Sequence, residues 1–198
     1  MCGRFYIAAD DPDEMISAYI AEAQARADSL GVPLTTSGEI RPTNIVPVVA
    51  PSALGRKPSA YPMKWGFTHP TQGMLVFNTR SESADTKPLF VTSIEDRRCL
   101  VPATCYYEWQ KVGNKKVKYA IAPTDQPLYL AGLYFRNSRE KLPYFSILTM
   151  DAADSIKSIH NRMPVIIPQA RRDDWLSANC PYVEALKFAI TDMEYRTA

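Results

Sequence analysis

Apolar and polar residues alternate over short stretches along most of the chain, a pattern that predicts β-strands. KVGNKK lies between two such stretches, and its Gly113 and Asn114 can take the positive φ angles of a tight hairpin turn. Most strand pairing is therefore expected to be antiparallel. The strands are expected at residues 2–8 and in the runs IVPVVA, whose proline suits an edge or bulge, YPMKWGF, MLVF, RRCLV, TCYYEWQK, VKYAIA, PLYLAGLYF, PYFSILTM and MPVII.

One segment near the N-terminus has the spacing of an amphipathic helix instead. Asp11 is the expected N-cap, Pro12 suits the first helical position, Glu14 completes a capping box, and Gly31 ends the helix. The apolar stripe of this helix consists of Met15, Ile16, Tyr19, Ile20 and Ala23. Such a helix is expected to cover one face of a sheet.

Strands outnumber helices in this reading, and two further short helices are expected at residues 151–157 and 169–177. No repeat or break in composition divides the 198 residues, of which 46% are hydrophobic. A chain of this length can bury a sizeable core. The sequence therefore predicts a single α+β domain over residues 1–198, with a curved, barrel-like, mainly antiparallel sheet and peripheral helices.

The charge and cysteine content exclude several functional classes. A net charge of +2 gives no general attraction to nucleic acid, so a DNA site has to come from local arginines. No apolar stretch approaches the ~20 residues of a membrane span, and no signal peptide is evident, so we expect a cytoplasmic protein without membrane contact. The four cysteines form no CxxC pair and only two histidines are present, so we expect reduced thiols, no metal and no other cofactor.

Cys2 directly follows the initiator methionine in MCGRF. Removal of Met1 requires a small second residue, and it would leave Cys2 with both a free α-amine and a thiol. An α-amine has a pKa of ~7.7 to 8 and is partly nucleophilic near neutrality. It can condense with an aldehyde to an imine, which the tethered thiol then closes to a five-membered thiazolidine. Intramolecular closure of this kind is strongly favoured, with effective molarities on the order of 10⁵ M.

Three other polar residues lie among apolar strand residues. Glu108 is flanked by aromatic residues in CYYEWQ and is either a proton-transfer group or a solvent-facing strand residue paired with a lysine. His160 in SIHNRMPVII is either a catalyst or a hydrogen-bonded structural residue. Asn78 in FNTRSES either orients a reacting group or caps a turn. The residues alone leave these alternatives open.

Arg4, Arg80 and Arg162 each lie within two residues of one of these polar candidates. A fold that gathers the candidates would gather the three guanidinium groups as well. Arginine suits phosphate because its planar fork binds two oxygens at once. The sequence therefore indicates a local phosphate site, although each arginine alone is equally typical of a solvated surface.

The stretches CGRF, FNTRSES, RRCLVPATCYYEW and SIHNRMPVII, in this order and spacing, resemble the SRAP (SOS response-associated peptidase) family. The resemblance runs from Cys2 to about Ile190. Members of that family shield abasic sites in single-stranded DNA by covalent crosslinking. The resemblance implies that processed Cys2 forms a thiazolidine with the abasic sugar, that Asn78 orients Cys2, that Glu108 acts as acid and base, and that His160 assists imine chemistry and crosslink reversal.

The resemblance also implies a partner and a DNA-binding surface. Arg4, Arg80 and Arg162 match phosphate-contacting positions, and Trp65 and Thr149 match positions near the DNA channel. The partner is expected to be single-stranded DNA containing an abasic site, bound by a monomer that associates with the nucleoid. Cys105 stands where the family tends to have glycine, which would place a second thiol near the site. Lyase activity, crosslink reversal and an autoproteolytic peptidase activity remain open.

Two rival functions fit parts of the same sequence. An N-terminal-nucleophile hydrolase, such as a glutamine amidotransferase domain, would also use processed Cys2, but as a thiolate beside an oxyanion hole. A noncatalytic single-strand binder would stack bases on Trp65, Tyr106 or Trp109 and would be indifferent to an abasic site.

Overall fold

The computed structural model describes residues 2–11, 13–52 and 57–198, and these form strands, four α-helices and two short 3₁₀ turns. No helix within these ranges is both long enough and apolar enough to cross a membrane. The helices are α1 Glu14–Leu30, α2 Val91–Asp96, α3 Arg172–Leu176 and α4 Tyr182–Leu186. The strands are β1 Phe5–Ile7, β2 Gly38–Ile40, β3 Ile45–Ala50, β4 Ser59–Trp65, β5 Phe67–Thr68, β6 Leu75–Val76, β7 Asn78–Arg80, β8 Arg98–Ala103, β9 Cys105–Val112, β10 Lys115–Pro123, β11 Leu128–Phe135, β12 Tyr144–Asp151, β13 Arg162–Pro164 and β14 Met193–Thr197.

The larger sheet closes on itself. Its strands pair in the order β11, β8, β3, β4 and β12, and β12 pairs in turn with β11. Outside this ring, β12 also pairs with β13 and with β7. The pairings of β12 with β4 and with β7 are parallel, and the others in this sheet are antiparallel. The predicted α+β class with a barrel-like, mainly antiparallel sheet is confirmed.

The smaller sheet carries the N-terminal strand. Its order is β14, β10, β9, β1 and β2, and all its pairings are antiparallel. The β9–β10 hairpin pairs Val112 with Lys115, and Gly113 has a φ of 60°. Thr43 is the one described residue other than glycine with positive φ, so Asn114, which could also take one, has a negative φ. A single positive φ at the first central residue fits a type II′ turn.

The N-cap of helix α1 lies two residues later than predicted. The Asp13 carboxylate accepts the backbone N–H groups of Met15 and Ile16 at 2.8 and 3.1 Å, so Asp13 and not Asp11 is the N-cap. Asp11 instead accepts the N–H of Asp13 at 3.1 Å. The predicted role of Pro12 lies outside the described residues. The helix ends as predicted at Gly31, which has a left-handed φ of 61°.

The buried face of α1 is displaced from the predicted stripe. Ile16, Ala23 and Ala27 are the fully buried residues of the helix. Met15 is 39% exposed, so its place in the stripe is wrong. The helix packs on β3 and β4 and covers one face of the ring, as expected.

Two other local predictions need correction. Residues 154–159 form successive turns and not a helix: Ile159 donates to the Ile156 carbonyl at 2.9 Å, three residues back. The strand IVPVVA lies inside the sheet between β4 and β8 and not at its edge. Its proline is tolerated because β8 pairs with this strand at Val49 alone. The predicted helix at 169–177 is confirmed as a 3₁₀ turn that leads into α3.

Trp65 anchors the core between the two sheets. It is fully buried, and its ring centroid lies 5.1 Å from Phe5, 5.9 Å from Phe77 and 6.3 Å from Phe145. The indole N–H donates to the Phe77 carbonyl at 2.8 Å, which satisfies its one polar group. Because Phe5 lies in β1 and Phe77 directly precedes β7, this tryptophan fixes both segments that carry the candidate site.

Candidate active site

Cys2 is brought into the protein by the chain that leads into β1. Phe5 of β1 lies opposite Tyr106 of β9, and the N–H of Tyr107 donates to the Arg4 carbonyl at 2.8 Å. The ladder therefore continues past β1 toward the N-terminus. Residues 2–4 follow β9 in the direction of Glu108.

Asn78 holds the backbone of Cys2. Its side-chain Nδ2 donates to the Cys2 carbonyl at 2.8 Å, across 76 positions of sequence. Asn78 begins β7, which runs parallel to β12. Of the two alternatives for Asn78, this contact favours the one in which its side chain orients Cys2 over the one in which it caps a turn.

The Cys2 thiol is buried in this setting. Its side chain is fully buried, and Sγ lies 3.8 Å from the Arg4 carbonyl. Burial raises the pKa of this thiol well above its ordinary value, and the negative charge of Glu108 raises it further. Cys2 is therefore a protonated thiol at neutral pH.

Glu108 points into the protein and not toward solvent. It is 5% exposed and lies on the same face of β9 as the buried Tyr106, two residues earlier. The alternative of a solvent-facing residue paired with a lysine is wrong. The nearest cross-strand lysine, Lys118, binds Glu39 at 2.6 Å on the opposite face.

His160 follows the turns at 154–159 and is oriented by the chain after it. Its Nδ1 accepts the backbone N–H of Arg162 at 2.9 Å. When Nδ1 accepts, the proton of the neutral ring lies on Nε2. The same segment is tied to β9, because Gln110 donates to the Ser158 carbonyl at 2.9 Å.

The three arginines differ in how many ion pairs and hydrogen bonds their guanidinium groups form. Arg162 is buried, with its guanidinium on the carboxylate of Glu82, on Asp151 at 2.8 Å and on the Thr149 carbonyl at 2.6 Å. The hydrogen bonds with Glu82 raise the pKa of Arg162 and lower that of the carboxyl. Its predicted phosphate contact would require a phosphate to compete with two carboxylates.

Arg4 also has an ion pair, and Arg80 differs from both other arginines. Arg4 binds Glu39 and lies 6.0 Å from the centroid of the Trp109 ring. Arg80 is exposed and has no ion pair within the described part of the chain. Because β7 and β13 flank β12, Arg80 and Arg162 lie at the same end of the sheet.

Trp65 and Thr149 do not reach the surface. Both are fully buried, and the Thr149 hydroxyl donates to the Thr79 carbonyl at 3.4 Å. In this structure neither side chain is exposed to contact DNA directly, and both support their neighbours from inside: Trp65 the segment before β7, and Thr149 the arginine network. Their predicted DNA-binding role stays a prediction. Tyr106 is fully buried too, so neither Trp65 nor Tyr106 is available for base stacking in the rival binder.

Sequence reasoning missed the partners that hold the site together. Glu82 and Asp151 neutralise Arg162, Glu39 neutralises Arg4, and Tyr106 shares the buried face with Glu108. Period-two alternation along β9 could have placed Tyr106 beside Glu108. The carboxylates carry no such signal, because Glu82 and Arg162 are 80 residues apart in the chain.

Comparison with known proteins agrees with the fold and identifies the family. The family model described as SOS response associated peptidase (SRAP) matches residues 1–196. This chain belongs to the SRAP family. Among curated relatives, YobE of Bacillus subtilis is 32% identical over 125 residues, which is 58% of this SRAP protein and 57% of YobE.

Two further curated relatives come from other organisms. YedK of Escherichia coli is 29% identical over 118 residues, covering 58% of this SRAP protein and 53% of YedK. HMCES of Xenopus tropicalis is 30% identical over 159 residues, covering 63% and 47% of the two chains. All three are named abasic site processing proteins. The SRAP protein spans about half the length of these curated relatives.

Solved structures share the fold over the whole chain. A protein from Bacteroides thetaiotaomicron has a TM-score of 0.79 at 23% identity and covers 99% of this chain and 91% of its own. A phage-related protein from Bordetella bronchiseptica has a TM-score of 0.75 at 22% identity, with coverages of 100% and 94%. At these identities the likeness establishes the fold alone.

Proposed function

We propose that this SRAP protein captures abasic sites in single-stranded DNA, forming a thiazolidine through Cys2 after removal of Met1. The observation that carries the proposal is the 2.8 Å hydrogen bond from Asn78 to the Cys2 carbonyl, which fixes Cys2 within reach of the Glu108 charge. A 1,2-aminothiol held next to a buried acid–base group is suited to an aldehyde. The names of the relatives point to the same substrate.

The first step is imine formation. The α-amine of processed Cys2 attacks C1′ of the ring-opened sugar, and a C–N bond forms as the carbonyl oxygen takes up a proton. Glu108 accepts the proton lost by the amine and returns it to the departing hydroxyl, which leaves as water. Asn78 keeps the amine close to Glu108 because it holds the carbonyl of the same residue.

The second step closes the ring. The Cys2 sulfur attacks the imine carbon, the C–S bond forms, and the electrons of the C=N bond move to nitrogen. The thiol proton passes through Glu108 to that nitrogen, so no external reductant or oxidant is needed. Because burial raises the pKa of the thiol, it arrives as S–H and carries the proton that the step requires.

Reversal follows the same path backward and gives His160 its proposed role. Ring opening has to return a proton to sulfur, and imine hydrolysis has to activate water. An imidazole oriented through Nδ1 can carry protons at its other ring nitrogen. Strand cleavage by β-elimination would proceed from the same imine, and the balance between cleavage and closure is set by how fast sulfur attacks.

The hydrolase alternative is disfavoured by the state of the thiol. An N-terminal-nucleophile hydrolase attacks an amide with a thiolate. In this SRAP protein the buried Cys2 thiol has a raised pKa, with a carboxylate adding to the rise. That environment suppresses thiolate and suits a reaction in which the amine attacks first.

The test is a denaturing gel of processed protein incubated with a single-stranded oligonucleotide that contains one abasic site. We expect a stable crosslinked band with the wild type and none with Cys2→Ala. Cys2→Ser should form a band only after borohydride, because it can make the imine and not the stable ring. Cys105→Ala is the matched control, since it removes a second buried thiol and should crosslink like the wild type.

Two results would contradict the proposal. One is a stable band with Cys2→Ala at the wild-type rate. The other is equal crosslinking to an oligonucleotide without an abasic site. Glu108→Gln should slow crosslinking by at least ~100-fold if it handles the protons, because positioned acid–base groups contribute factors of this size.

A further inference from the structure

The Tyr106 hydroxyl is buried with no hydrogen-bond partner among residues 2–11, 13–52 and 57–198. Buried tyrosine hydroxyls nearly always have a partner. Two others in this protein follow that rule: Tyr129 accepts from Arg172 at 3.0 Å, and Tyr182 donates to the Ser81 carbonyl at 3.1 Å. Tyr106 therefore differs from its counterparts and needs an explanation.

The position of Tyr106 relates it to the reacting groups. It lies two residues before Glu108 on the buried face of β9 and opposite Phe5, three residues after Cys2. Burial raises the pKa of its hydroxyl, and electrostatic interactions with Cys2 and Glu108 raise it further. The hydroxyl thus keeps its proton and is a hydrogen-bond donor within electrostatic range of the carboxylate, in the same buried cluster as the thiol.

On stability alone, phenylalanine would serve better at this position. A buried hydroxyl without a partner loses its hydration and gains nothing in return. The hydroxyl is therefore expected to form its hydrogen bond during the reaction and not in the resting protein. It would do so when a nearby group becomes an electron-rich acceptor.

We propose that Tyr106 is a positioning residue for thiazolidine closure, donating a hydrogen bond to the Cys2 sulfur as the thiol gives up its proton. This inference rests on the proposed function. As the C–S bond forms, the thiol proton moves to Glu108 and then to the imine nitrogen, while Tyr106 keeps its own proton throughout. Hydrogen bonds to a charged acceptor are stronger than those to a neutral one, so the bond strengthens as sulfur approaches thiolate.

The test separates the two chemical steps in Tyr106→Phe. Processed protein is mixed with a single-stranded oligonucleotide bearing one abasic site and is quenched at intervals with or without borohydride. Borohydride traps the imine, whereas the thiazolidine survives denaturation without it. We expect Tyr106→Phe to form the imine at the wild-type rate and to close the ring about tenfold more slowly, the effect of losing one charge-assisted hydrogen bond.

Thermal unfolding distinguishes this role from a structural one. Tyr106→Phe removes an unpaired buried hydroxyl, so its Tm should equal or exceed that of the wild type. The matched control is Tyr129→Phe, which loses the bond to Arg172 and should have a lower Tm with both chemical steps unchanged.

Three outcomes would overturn the inference. They are wild-type ring closure in Tyr106→Phe, equal slowing of imine formation and ring closure, and a fall in Tm that accounts for lost activity. In each of these cases Cys2-dependent crosslinking by the wild type would still support the proposed function. Absence of any Cys2-dependent crosslink in the wild type would instead remove the proposed function itself.

Discussion

Three arginines at the candidate site carry the same charge and have different surroundings. The guanidinium of Arg162 is held by Glu82, Asp151 and a carbonyl, and that of Arg4 is held by Glu39. Arg80 is exposed and has no ion pair in the described part of the chain. A phosphate can approach Arg80 without displacing a carboxylate, so we expect Arg80 to contribute most to DNA binding.

Substitution of these arginines should separate binding from stability. Arg80→Ala should weaken binding to single-stranded DNA and reduce the salt slope by about 0.7, the value for one phosphate contact. Arg162→Ala should lower the free energy of unfolding by ~1–3 kcal/mol, because the buried Thr149 carbonyl loses its donor. Fluorescence anisotropy over a salt series and urea unfolding measure the two effects. A larger change in salt slope for Arg162→Ala, at unchanged stability, would contradict this assignment.

Among the elements, the junction of β4 and β5 depends on one glycine. Gly66 has a φ of 88°, and its N–H donates to the Phe145 carbonyl at 2.7 Å. A Cβ added there would lie 3.1 Å from the Phe77 Cβ and 3.2 Å from Leu75 Cδ1. Phe77 immediately precedes Asn78, so this glycine lets β4 end without displacing the segment that holds Cys2.

Gly66→Ala should destabilise the protein more than a glycine substitution in open space. We expect a loss of ~1–3 kcal/mol in the free energy of unfolding, from the positive φ together with the crowding. Gly73→Ala is the control, because Gly73 has a φ of 68° and no atom within 4 Å of an added Cβ. It should lose about 1 kcal/mol from the backbone alone. Equal losses in urea unfolding would show that the contact with Phe77 is unimportant.

The sequence predicted some elements of the fold better than others. Most strands were predicted because alternation is a local signal, and Gly31 was predicted because a helix end needs a left-handed residue. The helix at 151–157 was wrong, since its apolar spacing suited turns equally well. The arginine network was not foreseeable, because the Glu82–Arg162 pair depends on two strands that flank β12. Cys2, Asn78 and Glu108 were grouped by the family resemblance, and Tyr106 was named solely as a stacking residue.

Across the whole molecule, several titratable groups are buried in their neutral forms. Burial raises the pKa of Cys2, Cys99, Tyr106 and Tyr182. In the unfolded chain the two thiols return to their ordinary pKa of 9.0. The folded state therefore binds these protons more tightly than the unfolded state does, and stability is lost as pH rises above the unfolded value.

Alkaline conditions should therefore destabilise this protein, whereas its stability near neutral pH should not change. We expect Tm to be nearly constant between pH 7 and about 8 and to fall steadily above about pH 9. Cys99→Ala should lower Tm at pH 7, because it leaves a cavity. It should also make the fall of Tm above about pH 9 less steep, because one buried thiol no longer contributes to it. Calorimetry over this pH series measures both, and an alkaline slope unchanged in Cys99→Ala would contradict burial as the cause.

Strand β12 has four neighbours, since β4, β7, β11 and β13 all pair with it. It closes the ring, and it also pairs with the strands that carry Asn78 and Arg162. Its Ser146 hydroxyl lies 2.7 Å from that of Thr79, one residue from Asn78. A substitution at either of these buried hydroxyls can therefore shift Asn78, and with it Cys2, without altering a residue on the protein surface.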